Sequence, residues 1–228
     1  MLVHLSVDIE GIAGVVHTDQ ARRSGHDYAL ARQWMTREAN AAVLGAFDGG
    51  ASGVVIVDAH GDMRNLLLDE LDPRVEVVSG SLKPMSMVHG VSSRFGVALF
   101  VGYHAGAGSR NGILDHTYSS KVIARCRIGD RDFDETALNA MVCGEQGVPV
   151  GLVTGDSTVC ARAEETLGDV ETVVVKEAVS RHAARSVMPS VACERVQEGA
   201  RRAVKGAIDR RFRPFLPPPP HRLELDFH

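Results

Sequence analysis

Three short aliphatic runs, residues 2–7, 54–57 and 97–101, each break off into a motif carrying acidic or histidine side chains: Asp8-Ile9-Glu10-Gly11, Asp58-Ala59-His60-Gly61 and Gly102-Tyr103-His104-Ala105. Predominantly apolar, β-branched-rich runs of this length, interrupted only by His4 and Ser6, read as strands buried on both faces, the pattern of a parallel sheet. In an open parallel sheet the carboxyl ends of the strands share one edge, so residues distant in sequence are predicted to meet there. The chain is thereby constrained to an α/β architecture with its chemistry at that edge.

The intervening sequence keeps the same rhythm. Residues 27–48 carry apolar side chains at helical spacing and stop at Gly49-Gly50 before the next strand, which makes a βαβ unit. Further strands are predicted at 75–78, 148–153 and 172–175, with helices at 135–145 and 158–167. The result is a mostly parallel sheet with helices on both faces. Residues 118–128, followed by Gly129-Asp130-Arg131 and Phe133, read instead as a hairpin that delivers Glu135. Residues 189–209 form an amphipathic helix whose arginines are read as a solvated face. Pro214 and Pro217 to Pro220 then enforce an extended linker, and the strand at 222–227 needs a partner, either in this chain or in another subunit. Two units are expected: a Rossmann-like catalytic domain at 1–176 and a smaller α/β subdomain at 177–228.

With 228 residues, 44% of them hydrophobic, the chain is long enough for a substantial core. A formal net charge of −4 and ten scattered histidines give no concentrated basic face, which argues against nucleic acid as a partner. Cys126, Cys143, Cys160 and Cys193 show no Cys-x-x-Cys spacing and are expected to be reduced and mostly buried. No secretory leader and no apolar stretch of about 18 residues is present, so no membrane partner and a cytoplasmic location are expected.

Asp8 and Glu10 stand at i and i+2 beyond a buried strand, close enough to repel unless a cation separates them. His60 and His104 occupy equivalent strand ends. A mixed imidazole and carboxylate set suits zinc, whereas an all-oxygen set would favour magnesium or calcium. On spacing alone the same residues also suit helix caps and loop hydrogen bonds, and both readings stand at this point. Asp58 is a candidate to orient His60. Gly155-Asp156-Ser157 reads as a helix N-cap, and Met85 and Met87 as core or channel wall.

The segments 6–14, 57–61, 79–87, 102–105 and 135–140, in this order and spacing, resemble the D-aminopeptidase (DppA, dipeptide-transport-protein-like) family, peptidase family M55. The resemblance spans nearly the whole chain. It implies a self-compartmentalising zinc aminopeptidase acting on short peptides with an N-terminal D-residue, D-alanyl peptides above all. Carried over by position, two zinc ions per subunit are implied: Asp8 bridges them, Glu10 and His60 complete one, and His104 and Glu135 complete the other.

The family's catalytic histidine falls on His116, where it is called a nucleophile; chemically, an acid/base or oxyanion-stabilising role suits it better. Lys83 and Asn139 are weaker candidates for substrate contacts. The resemblance further implies a homo-oligomer, a decamer of stacked pentamer rings. Family members extend some tens of residues further, so the C-terminal subdomain is expected to be incomplete, with its substrate contacts and subunit packing altered. Two other readings remain at this stage: a di-metal amidase or esterase on another small substrate, and a peptide-binding accessory protein of a transport system.

Overall fold

The computed structural model describes residues 1–228. In chain order its elements are β1 (Leu2–Val7), α1 (Thr18–Ala21), α2 (Tyr28–Asp48), β2 (Gly53–Asp58), β3 (Glu76–Val78), β4 (Phe95–Tyr103), β5 (Ile123–Ile128), β6 (Arg131–Asp132), α3 (Glu135–Glu145), β7 (Val150–Asp156), α4 (Ser157–Leu167), β8 (Glu171–Ser180), β9 (Ala183–Ser186), α5 (Pro189–Ile208) and β10 (Leu223–Phe227). The aliphatic runs assemble a seven-stranded sheet in the order β3-β2-β1-β4-β7-β8-β9, parallel except for the β8–β9 pair.

Successive residues of a strand face opposite sides, and both sides of this sheet are buried. Val97, Leu99 and Val101 of β4 point into one core, which α2 and α5 cover; Ala98 and Phe100 point into the other, covered by α3 and α4. The expected helices on both faces are therefore present. On α2, Ala31, Met35, Ala39, Ala42 and Ala46 form the buried stripe, and α5 answers with Val196, Ala200 and Val204. These small residues let the two helices approach closely: a Cβ on Gly45 would lie 2.0 Å from the Gln197 carbonyl oxygen.

The hairpin expected near residue 129 is β5–β6, and β10 pairs antiparallel with β5 to complete a second, three-stranded sheet. The C-terminal strand thus finds its partner within this chain. The division expected after residue 176 falls inside β8, a strand of the main sheet, while α5 packs against α2, β7 and β8. β10 lies in the second sheet beside β5, and the proline-rich approach to it packs Phe215 against α3 and Phe133, so neither is joined to residues 177–208 as a separate unit. Met87 lies in the core and Met85 packs against it. The four cysteines are unpaired, three of them buried. No helix is long and apolar enough to cross a membrane.

Candidate metal centre

Backbone hydrogen bonds bring three strand exits together before any side chain is considered. The Asp8 amide donates to the Val101 carbonyl at 2.8 Å, the Ala59 amide to the Val7 carbonyl at 2.8 Å, and the Gly11 amide to the Gly102 carbonyl at 2.7 Å. At Gly11 a Cβ would lie 1.9 Å from the Tyr103 carbonyl oxygen, so the turn carrying Glu10 can cross the end of β4 this closely only as glycine. The fourth contribution comes from α3. Asp134 caps that helix by accepting from the Ala137 amide at 2.8 Å, which places Glu135 in the first turn, where the helix dipole favours a carboxylate.

Asp8, Glu10, His60, His104, His116 and Glu135 converge there. His60 Nδ1 lies 3.1 Å from Asp8 Oδ1 and 2.9 Å from Glu10 Oε2; His104 Nε2 lies 3.5 Å from Asp8 Oδ2 and 3.4 Å from Glu135 Oε1. Asp8, Glu10 and His104 offer ligand atoms within 4.8 Å of one another, and so do His104, His116 and Glu135. The carboxylates and His104 are buried. His104 Nε2 has no hydrogen-bond partner, a costly condition for a polar atom cut off from water, and Glu10 Oε2 has only the His60 contact at 2.9 Å. Their orientation toward a shared centre, and the mixed nitrogen and oxygen donors, fit zinc.

Charge in this cluster is strongly interdependent. Burial pushes the Asp8 carboxyl up, with neighbouring Glu10 adding to the effect, to about 7. Burial also works against ionisation of Glu10 and Glu135, yet His60 beside the first and His104 beside the second outweigh it and hold both below the usual carboxylate range. Burial likewise opposes charging of His60 and His104, but Glu10 and Glu135, respectively, raise them well above the ordinary imidazole value. His116 goes the other way: burial and then the adjacent His104 lower it. Its ring stacks on that of His104, centroids 4.1 Å apart, and its Nε2 is 3.8 Å from Glu135 Oε1.

The groups that orient these rings are mostly backbone carbonyls. His60 Nε2 is 2.6 Å from the Ala21 carbonyl, His104 Nδ1 is 2.9 Å from that of Ala105, and His116 Nδ1 is 2.8 Å from that of Leu114. Asp58, expected to orient His60, instead accepts from the Asn65 amide and side chain and from the Leu66 amide, closing the loop after β2. Asp115 accepts from the Gly108 amide and from Arg181 rather than from its neighbour His116. Asp156 caps α4 as expected and also accepts from the Ile113 amide at 3.1 Å, anchoring the loop that leads to His116.

Lys83 donates to the Asp58 carbonyl at 2.6 Å and does not line the cleft in front of the cluster. Asn139 is buried beneath the site and donates to the Tyr103 hydroxyl at 3.2 Å. Sequence reasoning passed over Ala21, on a four-residue helix too short for a periodic signal. It also passed over Lys176, whose buried ammonium donates to the carbonyls of Glu10, Ile12 and Val15 at 2.5, 2.9 and 2.6 Å. A lone lysine in a β-branched run was the available signal. The cleft itself holds about 710 Å³ and is walled in part by Glu10, His60 and His116.

Comparison with known proteins places the whole chain in one family. The family described as D-aminopeptidase, peptidase family M55, matches residues 1–228. A D-aminopeptidase of Bacillus subtilis (strain 168) is 36% identical over 227 residues, spanning 100% of this chain and 81% of that protein. Among solved structures, the Zn-dependent D-aminopeptidase DppA from Bacillus subtilis, described as a self-compartmentalizing protease, superposes with a TM-score of 0.91 at 34% identity, over 100% of this chain and 81% of that one.

Proposed function

This chain belongs to the D-aminopeptidase family and is a zinc metallopeptidase, and from that premise we propose that it removes N-terminal D-residues, D-alanine in particular, from short peptides at a two-zinc site. Asp8 would bridge the two ions, Glu10 and His60 would complete one set of ligands, and His104 and Glu135 the other. The observation that carries this reading is the buried His104 Nε2, without a hydrogen-bond partner and facing both Asp8 and Glu135. A zinc pair bound there supplies Lewis-acid polarisation of the scissile carbonyl, an anchor for the free amine and a lowered pKa for the attacking water.

The remaining chemistry falls to the chain. His116 is held by the Leu114 carbonyl at Nδ1, which leaves Nε2 turned to the site. Its lowered pKa keeps that nitrogen unprotonated at neutral pH, so it accepts a proton as the carbonyl is attacked and returns it to the leaving amine. The carbonyls of Ala21 and Ala105 fix the ring planes of His60 and His104, so neither ligand pays for reorientation at the moment of binding.

The assembly and location follow from the same reading: a cytoplasmic homo-oligomer, with stacked pentamer rings enclosing the sites, supported by the self-compartmentalizing description of the B. subtilis structure. The deciding experiment compares D-Ala-D-Ala with L-Ala-L-Ala as substrates of zinc-loaded protein, with zinc counted per chain and particle mass measured by sedimentation. Release of D-alanine with about two zincs bound is expected. Preferential cleavage of the L-peptide, or a single bound zinc, overturns the corresponding part of the proposal.

A further inference from the structure

The walls of the cleft divide by charge. Its more buried part presents Glu10, His60 and His116, whereas four exposed cations, Arg22, Arg23, Lys121 and Arg181, line the rest, opposed there by Asp62 alone. A free short peptide has the matching polarity, an ammonium at one end and a carboxylate at the other. Arg23 is already engaged, since its Nη1 donates to Asp62 at 3.0 Å. Arg181 is engaged in a different way. Its Nε donates to Asp115 Oδ1 at 2.6 Å and its Nη2 to the Asp115 carbonyl at 2.8 Å, while Asp115 Oδ2 accepts from the Gly108 amide at 2.9 Å. The Leu114 amide in turn donates to the Arg181 carbonyl at 3.0 Å.

The guanidinium is therefore locked to the Leu114–His116 turn, with Nη1 and the second proton of Nη2 uncommitted. A planar donor group fixed beside a proton-transfer residue, in a cleft whose other free cations are Arg22 and Lys121, is the arrangement that a carboxylate calls for. We propose that Arg181, supported by Lys121, receives the C-terminal carboxylate of the substrate, so that the enzyme selects short peptides with a free carboxyl end. This rests on the peptidase reading above. It makes the distance between the acidic cluster and Arg181 a length gauge: peptides whose carboxylate reaches Arg181 gain the contact, and C-terminal amides do not.

The test compares D-alanyl-D-alanine with its C-terminal amide. For the zinc-loaded wild type, kcat/KM is expected to favour the free acid by about 10- to 100-fold, mostly through KM, as befits one charge-assisted contact. Arg181→Gln should abolish that preference, kcat/KM falling further for the acid than for the amide, while any loss shared by both compounds reports the brace on the His116 turn. Lys121→Gln, which breaks no side-chain hydrogen bond or ion pair, should reduce the preference partially.

Calorimetric binding of both compounds to zinc-free protein supplies a readout independent of turnover. Discrimination there, lost in Arg181→Gln, supports the carboxylate site even if neither compound is hydrolysed, an outcome that would count against the peptidase reading alone. Equal loss on acid and amide in Arg181→Gln would reduce Arg181 to a brace for the His116 turn and overturn the proposal. So would a wild type that treats acid and amide alike in both kinetics and binding.

Discussion

His116 differs from its stacking partner in how its charge is set. His104 faces two carboxylates and is held protonated in the absence of a competing cation, whereas burial and the charge on His104 itself keep His116 neutral. The two should respond differently to truncation. His116→Ala is expected to lower kcat by about 10²- to 10⁴-fold with zinc content intact, the cost of losing a proton carrier. His104→Ala should lose bound metal as well as activity, so metal analysis beside kcat separates the roles. Glu38 supplies a residue-scale prediction away from the ligands. Its Oε1 accepts from the Ala13 amide at 2.8 Å, its Oε2 is buried without a partner, and burial raises its carboxyl from 4.5 to about 7. The folded state therefore holds the proton more tightly than the unfolded chain does. The corresponding stability is fully present below pH 4.5 and is lost as pH rises through about 7. Glu38→Gln should remove this dependence, gaining up to ~3 kcal/mol on the parent between pH 5 and pH 8 in urea unfolding. Parallel stability profiles for the two proteins would show that Glu38 is not held protonated.

At the scale of elements, the turn between β1 and α1 is the part of the site with least regular structure of its own, and Lys176 on β8 substitutes for it. All three ammonium donors are spent on carbonyls of residues 10–15, much as a bound monovalent cation would gather them. Lys176→Met keeps the bulk of the side chain and removes that tether, leaving three buried carbonyls with one partner fewer. A destabilisation of about 2–4 kcal/mol is expected, with weakened zinc binding because Glu10 loses its fixed position. Unchanged stability in chemical denaturation would show the tether to be dispensable. The same turn marks where the sequence stops being readable. β1, β2 and β4 announce themselves as aliphatic runs, and α2, α3 and α4 as periodic ones, so their order and the parallel sheet follow from local pattern. α1 and β9 have four residues each, too short for either period to register. The pairing of β10 with β5 depends on contacts across nearly a hundred residues of chain, which no local pattern encodes. Likewise the candidate ligands were legible as acidic and histidine residues standing at strand and helix ends, while the Ala21 carbonyl and the Arg181 brace leave no mark in residue type and Lys176 leaves only a lone lysine in a β-branched run.

For the molecule as a whole, the candidate centre would be a joint: its proposed ligands come from the ends of β1, β2 and β4 and from the start of α3, so a bound metal would add a further tie to elements already held by the sheet, its backbone contacts and the packing of α3 on β4. Binding to the folded state alone stabilises by mass action, about 4 kcal/mol when free zinc exceeds its dissociation constant by roughly 1,000-fold. Chelation should therefore lower Tm by on the order of 10 °C in a domain of this size, with recovery on adding zinc back. The linkage has a proton side. Without metal, Glu10 and Asp8 around His60, and Glu135 around His104, favour imidazolium at both rings despite their burial. Each ring must shed a proton before its nitrogen can serve as a ligand, so zinc affinity should fall steeply as pH is lowered below neutrality. Calorimetric titrations in two buffers of different ionisation enthalpy measure the protons released at pH 7. A release of about two per chain is expected from these two rings, with a further fraction from Asp8, whose carboxyl at about 7 is partly protonated at that pH. No release at all would mean that both imidazoles are already neutral in the metal-free protein, and that the carboxylates around them are kept apart by something other than charge on the histidines.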